Sequence, residues 1–215
     1  MAKRKVVLFL VCLIPFIHTG WQLLYGDKAD PLAYATHATG DWALRFILIT
    51  LAVTPLRLIT GMTQLVRYRR MLGLFAFFYV TVHFSVYWVL DLAIINGVGF
   101  SELLQYVTTD IFKRPYITVG FSAFLLLLPL ALTSTNRMMK RLGKKWKPLH
   151  RTVYLIAVLG VVHYFWLVKK DLREPLIYLS ILIALFAVRL FYHYRKTLRR
   201  AAANKSLPEA QRKPA

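Results

Sequence analysis

Six histidines carry most of the chemistry open to this 215-residue sequence: His18, His37, His83, His150, His163 and His193. Neutral imidazole is a common metal ligand. In hydrocarbon it is costly without a partner, so an ionisable side chain inside a membrane span marks function by default. All but His37 lie within long apolar runs or at their mouths. His83 precedes Asp91 by eight residues and His163 precedes Lys169 by six, about 12 Å and about 9 Å of helical rise. On helices running the same way, these two rings sit at one depth. Two facing neutral imidazoles at one depth between helices are the ligand set of a b-type haem. Filling both axial positions favours electron transfer over oxygen chemistry. The spacing alone leaves ligand and structural roles evenly open.

His150 precedes His163 by thirteen residues, about 20 Å of rise, which suits a second haem level. Around a straight helix, however, thirteen steps of about 100° leave the two rings about 140° apart. The remaining histidines read more plainly: His18 as a hydrogen-bonded structural residue, His193 as a headgroup contact, His37 as a loop or capping residue. No Gly-rich dinucleotide loop, P-loop or nucleophile elbow is present. The single Cys12 excludes an intramolecular disulfide and a Cys-ligated metal.

The elements that must position these rings are apolar. Hydrophobic residues make up 58% of the chain and mean hydropathy is +0.50. A span needs about 20 apolar residues, and six segments qualify: 6–25, 42–59, 71–90, 116–133, 149–168 and 175–194. Arg45, Arg57, Arg151 and Arg189 lie close enough to the span ends to snorkel. The net charge of +20 would suggest nucleic acid in a soluble protein, but the basic residues fill the gaps between apolar runs. Taking the N-terminus as cytoplasmic, the inner segments hold 20 Lys and Arg against 6 outside, the asymmetry that sets topology. The apolar run after Lys3-Arg4-Lys5 is too long for a cleaved signal peptide and is followed by more spans.

The fold class expected is therefore all-α: a polytopic membrane helix bundle of about six transmembrane helices, both termini cytoplasmic. Residues 1–200 form the membrane domain and 201–215 a polar cytoplasmic tail. Pro115 and Pro175 open helices, and Lys147-Pro148 opens another. Trp88, Trp146 and Trp166 are placed as interface anchors, and the aromatic stripes as lipid-facing bulk.

The segments Arg67-Tyr-Arg-Arg-Met-Leu-Gly73, Thr81-Val-His-Phe-Ser-Val-Tyr-Trp88, Lys113-Arg-Pro-Tyr-Ile-Thr-Val-Gly120 and Leu149-His-Arg-Thr-Val-Tyr154 with Val162-His-Tyr-Phe-Trp166 resemble the MsrQ (YedZ) family over residues 6–195. These are haem-binding membrane subunits of the bacterial periplasmic methionine sulfoxide reductase system, within the ferric-reductase-like transmembrane group. The resemblance implies b-type haem ligated by His83, His150 and His163, bound FMN, and a periplasmic molybdopterin partner, MsrP. The wider oxidase group carries two histidines on the third helix, whereas here His83 stands alone, so His150 takes another partner, a shared role or a site of its own.

Together these readings make the chain an electron-transfer subunit with no sulfoxide active site of its own. Quinol or a cytoplasmic flavin reductase would supply electrons, and the periplasmic enzyme that repairs oxidised proteins would receive them. One rival is a self-standing transmembrane ferric or oxygen reductase, which usually has a fused flavin domain. Another is a transporter with structural histidines, which should show broken helices or paired acids at the midplane.

Overall fold

The computed structural model describes residues 2–88, 99–168 and 171–205. Those residues form α1 (Ala2–Tyr25), α2 (Pro31–Thr60), a 3-10 segment (Thr63–Tyr68), α3 (Arg69–Ser85), α4 (Phe100–Lys113), α5 (Pro115–Leu132), α6 (Asn136–Leu142), α7 (Trp146–His150), α8 (Val153–Leu167) and α9 (Arg173–Lys205). Among the described residues, five helices are long and apolar enough to cross a bilayer. A sixth span results if Asn136–His150 and Val153–Leu167, bent by 42°, are counted as one. The multi-pass all-helical architecture is thus the one expected. The end of the third span, the loop acid Asp91, Lys169 and the tail beyond Lys205 lie outside the described residues.

Several boundaries differ for local reasons. The second helix starts at Pro31, not Trp42: Asp30 caps it by accepting from the Ala33 N–H at 2.9 Å, with Pro31 at the first turn. His37 therefore sits on a helix, not in a loop. The fifth span is broken rather than continuous. Arg151 N–H reaches the Lys147 and Pro148 carbonyls, and Thr152 N–H reaches Leu149, so the chain tightens past Pro148 before α8 begins. Part of the segment 91–114, expected as an outer loop, is α4, whose half-buried Leu103, Val107 and Ile111 share the face packed on α5. From Arg200 the chain stays helical to Lys205.

The centre is α2, packed on α3, with α5 against α8 and α1 and α9 flanking. Two prolines leave backbone groups that side chains from other helices satisfy. Pro55 has no N–H to give the Leu51 carbonyl, and the Arg189 guanidinium of α9 donates to that oxygen as well as to Tyr154 Oη at 2.7 Å. In α1, just past Pro15, the buried Tyr79 hydroxyl inserts between Phe16 N–H, from which it accepts at 3.0 Å, and the Cys12 carbonyl, to which it donates at 2.8 Å. In a bilayer such pairing is obligatory.

Candidate functional site

His83 lies on α3 and His163 on α8, and the structure brings them together with ring centres 6.2 Å apart and planes at 78°. Each ring is anchored through Nδ1 to a backbone carbonyl on a different helix. His83 donates to Thr36 O of α2 at 2.9 Å, and His163 donates to Tyr116 O of α5 at 2.6 Å. A carbonyl only accepts, so each Nδ1 carries the proton and each neutral ring keeps its Nε2 lone pair free. A carbonyl behind the distal nitrogen is the usual support of a ligating imidazole.

Two glycines make this close approach possible. A Cβ on Gly40 would stand 3.0 Å from His83 Cε1, and one on Gly120 would stand 2.6 Å from His163 Nδ1. Both imidazoles line one cavity of about 680 Å³ between α2, α3, α5 and α8, within the usual range for cofactor sites. Its walls include Leu44, Ile47, Phe84, Phe121 and Phe124. Phe84 and Phe124 stack at 4.9 Å, so these aromatics form interior packing rather than lipid-facing bulk. Past Ser85 the chain takes a π-type turn over 86–88, which carries Tyr87 and Trp88 to the cavity wall. Trp88 is buried, not an interface anchor.

The residues fit a haem. Two imidazole–metal bonds of about 2.0 Å each account for about two-thirds of the 6.2 Å between ring centres. What remains is the distance from each ring centre to its own nitrogen. The buried Trp88 Nε1 has no hydrogen-bond partner among the described residues, and Trp88 lines the cavity, so its N–H is a donor that a bound group could use. Among the described residues no cluster of three or more His, Cys, Asp or Glu could hold a bare metal ion.

His150 is not part of this cavity. On α7 its Nε2 is 3.0 Å from Thr133 Oγ1, and its ring stacks on Trp146 at 3.9 Å. His18 is exposed on α1 with no hydrogen-bond partner among the described residues, against the structural role expected of it, and His193 is exposed on α9. His37 lines the cavity.

A polar girdle also lies here. The Asp41 carboxylate lines the cavity and pairs with Arg45 at 3.8 Å, while Arg45 Nε donates to Tyr178 Oη at 2.8 Å. A second cluster ties α4 to the site: Asp110 accepts from Tyr87 Oη at 2.9 Å and pairs with Arg114 at 3.2 Å. The Arg114 pKa is pushed up, first by its hydrogen bond to the Tyr116 hydroxyl, and Tyr116 is the residue whose carbonyl holds His163. Sequence reasoning passed over Gly40, Gly120 and Asp41. The available signals were isolated glycines in apolar runs and the i, i+4 spacing of Asp41 and Arg45.

Residues 39–161 match the family described as ferric reductase like transmembrane component. The "Protein-methionine-sulfoxide reductase heme-binding subunit MsrQ" of Xanthomonas oryzae pv. oryzae is 47% identical over 212 residues, covering 95% of this chain and 92% of that protein. The like-named protein of Xanthomonas campestris pv. campestris is also 47% identical with the same coverage. That of Herminiimonas arsenicoxydans is 46% identical over 196 residues, 89% of this chain and 86% of its own length. No solved structure matches the chain.

Proposed function

The chain belongs to the MsrQ family, within the ferric-reductase-like transmembrane proteins, and from that premise we propose that it is a haem b electron-transfer subunit of the bacterial inner membrane. Its acceptor is a methionine sulfoxide reductase on the outer side, the molybdopterin protein MsrP, which repairs oxidised proteins. The observation that carries the reading is the facing pair of His83 and His163, each with Nδ1 donated to a carbonyl and Nε2 free.

His83 and His163 would hold a haem there, and the group would supply a one-electron carrier. The chain's own residues do the rest. The carbonyls of Thr36 and Tyr116 fix both ring orientations and raise the basicity of the free nitrogens. Gly40 and Gly120 leave room for the rings. Phe84, Phe121 and Phe124 exclude water, which keeps the site apolar. Trp88 Nε1, unpaired among the described residues, would be a donor available to the bound group.

His150, the third ligand implied by the resemblance, serves a separate inner level, as a haem ligand or on the path by which electrons enter. FMN belongs to the reading on the resemblance alone, as does the donor, quinol or a cytoplasmic flavin reductase. The excess of basic residues in the N-terminus, 61–70, 134–148 and the end of α9 supports a cytoplasmic placement of both termini.

The test is a pair of oxidised and reduced visible spectra of the protein purified in detergent. Low-spin b haem is expected. A folded protein that is colourless yet still passes electrons to its partner would overturn the assignment.

A further inference from the structure

The ends of α2 and α9 border a second, open hollow of about 380 Å³. Its lining includes Leu58 of α2 and, from α9, Tyr192, Arg195, Lys196, Arg199 and Arg200. The four cations form two i, i+4 pairs, Arg195 with Arg199 and Lys196 with Arg200. Like charges at that spacing repel, so gathering them around one hollow is unfavourable unless an anion enters it.

The described chain offers no such anion. Its three ion pairs are Arg45–Asp41, Arg114–Asp110 and Arg173–Asp171, all outside this region. No acidic residue lines the cavity, and none of its four cations hydrogen-bonds to another described residue; Arg195 only lies over the Phe191 ring at 5.5 Å. The positive-inside rule accounts for basic residues on this side of the membrane, but not for their convergence on a concavity between two spans.

The surroundings are amphipathic. Leu190, Phe191, Tyr194 and Leu198 are exposed on the same stretch of α9, and Leu58 and Tyr192 give the hollow an apolar wall. A soluble acidic protein would meet a flat polar surface more readily than a slot at the membrane margin. We propose that this cavity binds the phosphate headgroup of an anionic membrane phospholipid, with Arg195, Lys196, Arg199 and Arg200 on the phosphate oxygens. Basic hollows between span ends are a recurrent form of lipid recognition.

The experiment is native mass spectrometry of the full-length protein in detergent, titrated with phosphatidylglycerol, cardiolipin or phosphatidylcholine. Both anionic lipids should be retained and phosphatidylcholine should not. Each basic side chain at an anionic lipid contributes about fivefold in affinity, so Arg195→Gln with Arg199→Gln should weaken retention by about 25-fold. Lys140→Gln with Lys144→Gln removes the same charge from 134–148 and should change it less than about twofold. Equal losses in the two double variants would mean only general surface charge and would overturn the site. Displacement by inorganic phosphate or by FMN at millimolar concentration would assign the hollow to a soluble phosphate and overturn the lipid. If the first double variant melts early, Arg199→Ala alone is read: about fivefold weaker binding supports the site, and unchanged binding refutes it.

Discussion

Gly120→Ala should empty the His83–His163 site of haem without unfolding the protein. The added Cβ would stand 2.6 Å from His163 Nδ1, 2.9 Å from Cε1 and 3.2 Å from Cγ. Carbon contacts become favourable only near about 3.5 Å, so the ring must retreat by about 0.9 Å. A metal ligand tolerates about 0.2 Å. The Gly40 Cβ would meet His83 at 3.0 Å, a forced retreat of about 0.5 Å, so Gly40→Ala should weaken haem retention rather than abolish it. Overpacking costs about 1–3 kcal/mol, while alanine in place of helical glycine returns about 1 kcal/mol, so the net loss of stability stays within about 2 kcal/mol. Gly73→Ala is the control: its Cβ would find only Thr50 Cγ2, at 3.7 Å, and should leave haem content unchanged. Haem per protein, the low-spin reduced spectrum and a melting curve for each variant make the assay. A Gly120→Ala protein with full low-spin haem, or a Gly73→Ala protein that loses as much, would refute the reasoning.

Three further outcomes follow from particular contacts. His83→Ala and His163→Ala should each remove the same low-spin haem, whereas His150→Ala should spare its spectrum while losing a second haem or slowing electron entry; redox titration of the three proteins separates these cases. Arg189→Met leaves the Leu51 carbonyl unpaired at Pro55, at a cost of about 1–3 kcal/mol. Adding Pro55→Ala restores an N–H for that carbonyl, so the double variant should be less destabilised than the sum, and strictly additive melting shifts would count against the contact. A reporter active only in the periplasm should be active when fused within 91–114 and silent within 134–148; the reverse pattern would invert the proposed topology.

Long-range order was legible wherever a single property decided it. Runs of apolar residues marked the spans because the bilayer demands length and little else. His83 and His163 are paired from depth alone, because the fixed rise per residue of a helix sets depth without any knowledge of its neighbours. What sequence reasoning missed depends on contacts between helices. Gly120 is one glycine among several until α8 is packed on α5, and only then does its missing Cβ matter. The Thr36 and Tyr116 carbonyls carry no side-chain signature, so no residue type announced them. Asp41 falls outside the second span when that span is begun at Trp42, eleven residues after the start that the Asp30 cap and Pro31 mark. Trp88 was assigned by depth to the interface, but the π-type turn after Ser85 brings it to the cavity wall.

His150 shows what a broken helix does to an argument from angle. The separation of about 140° from His163 assumes one straight cylinder, and the chain is instead bent by 42° between α7 and α8. The bend does not turn His150 toward His163; it places the ring against Thr133 and Trp146. The hydrogen bonds there have a definite sense. Thr133 Oγ1 donates its one proton to Pro129 O at 2.6 Å, so the contact with His150 at 3.0 Å requires Nε2–H to donate to that oxygen. His83 and His163 thus protonate Nδ1 and keep Nε2 free, while His150 protonates Nε2 and keeps Nδ1. Were His150 to hold a metal, it would have to offer Nδ1 or give up its contact with the Thr133 hydroxyl. The three histidines are therefore not interchangeable: His83 and His163 keep Nε2 free, whereas the Nε2 of His150 is engaged with the Thr133 hydroxyl.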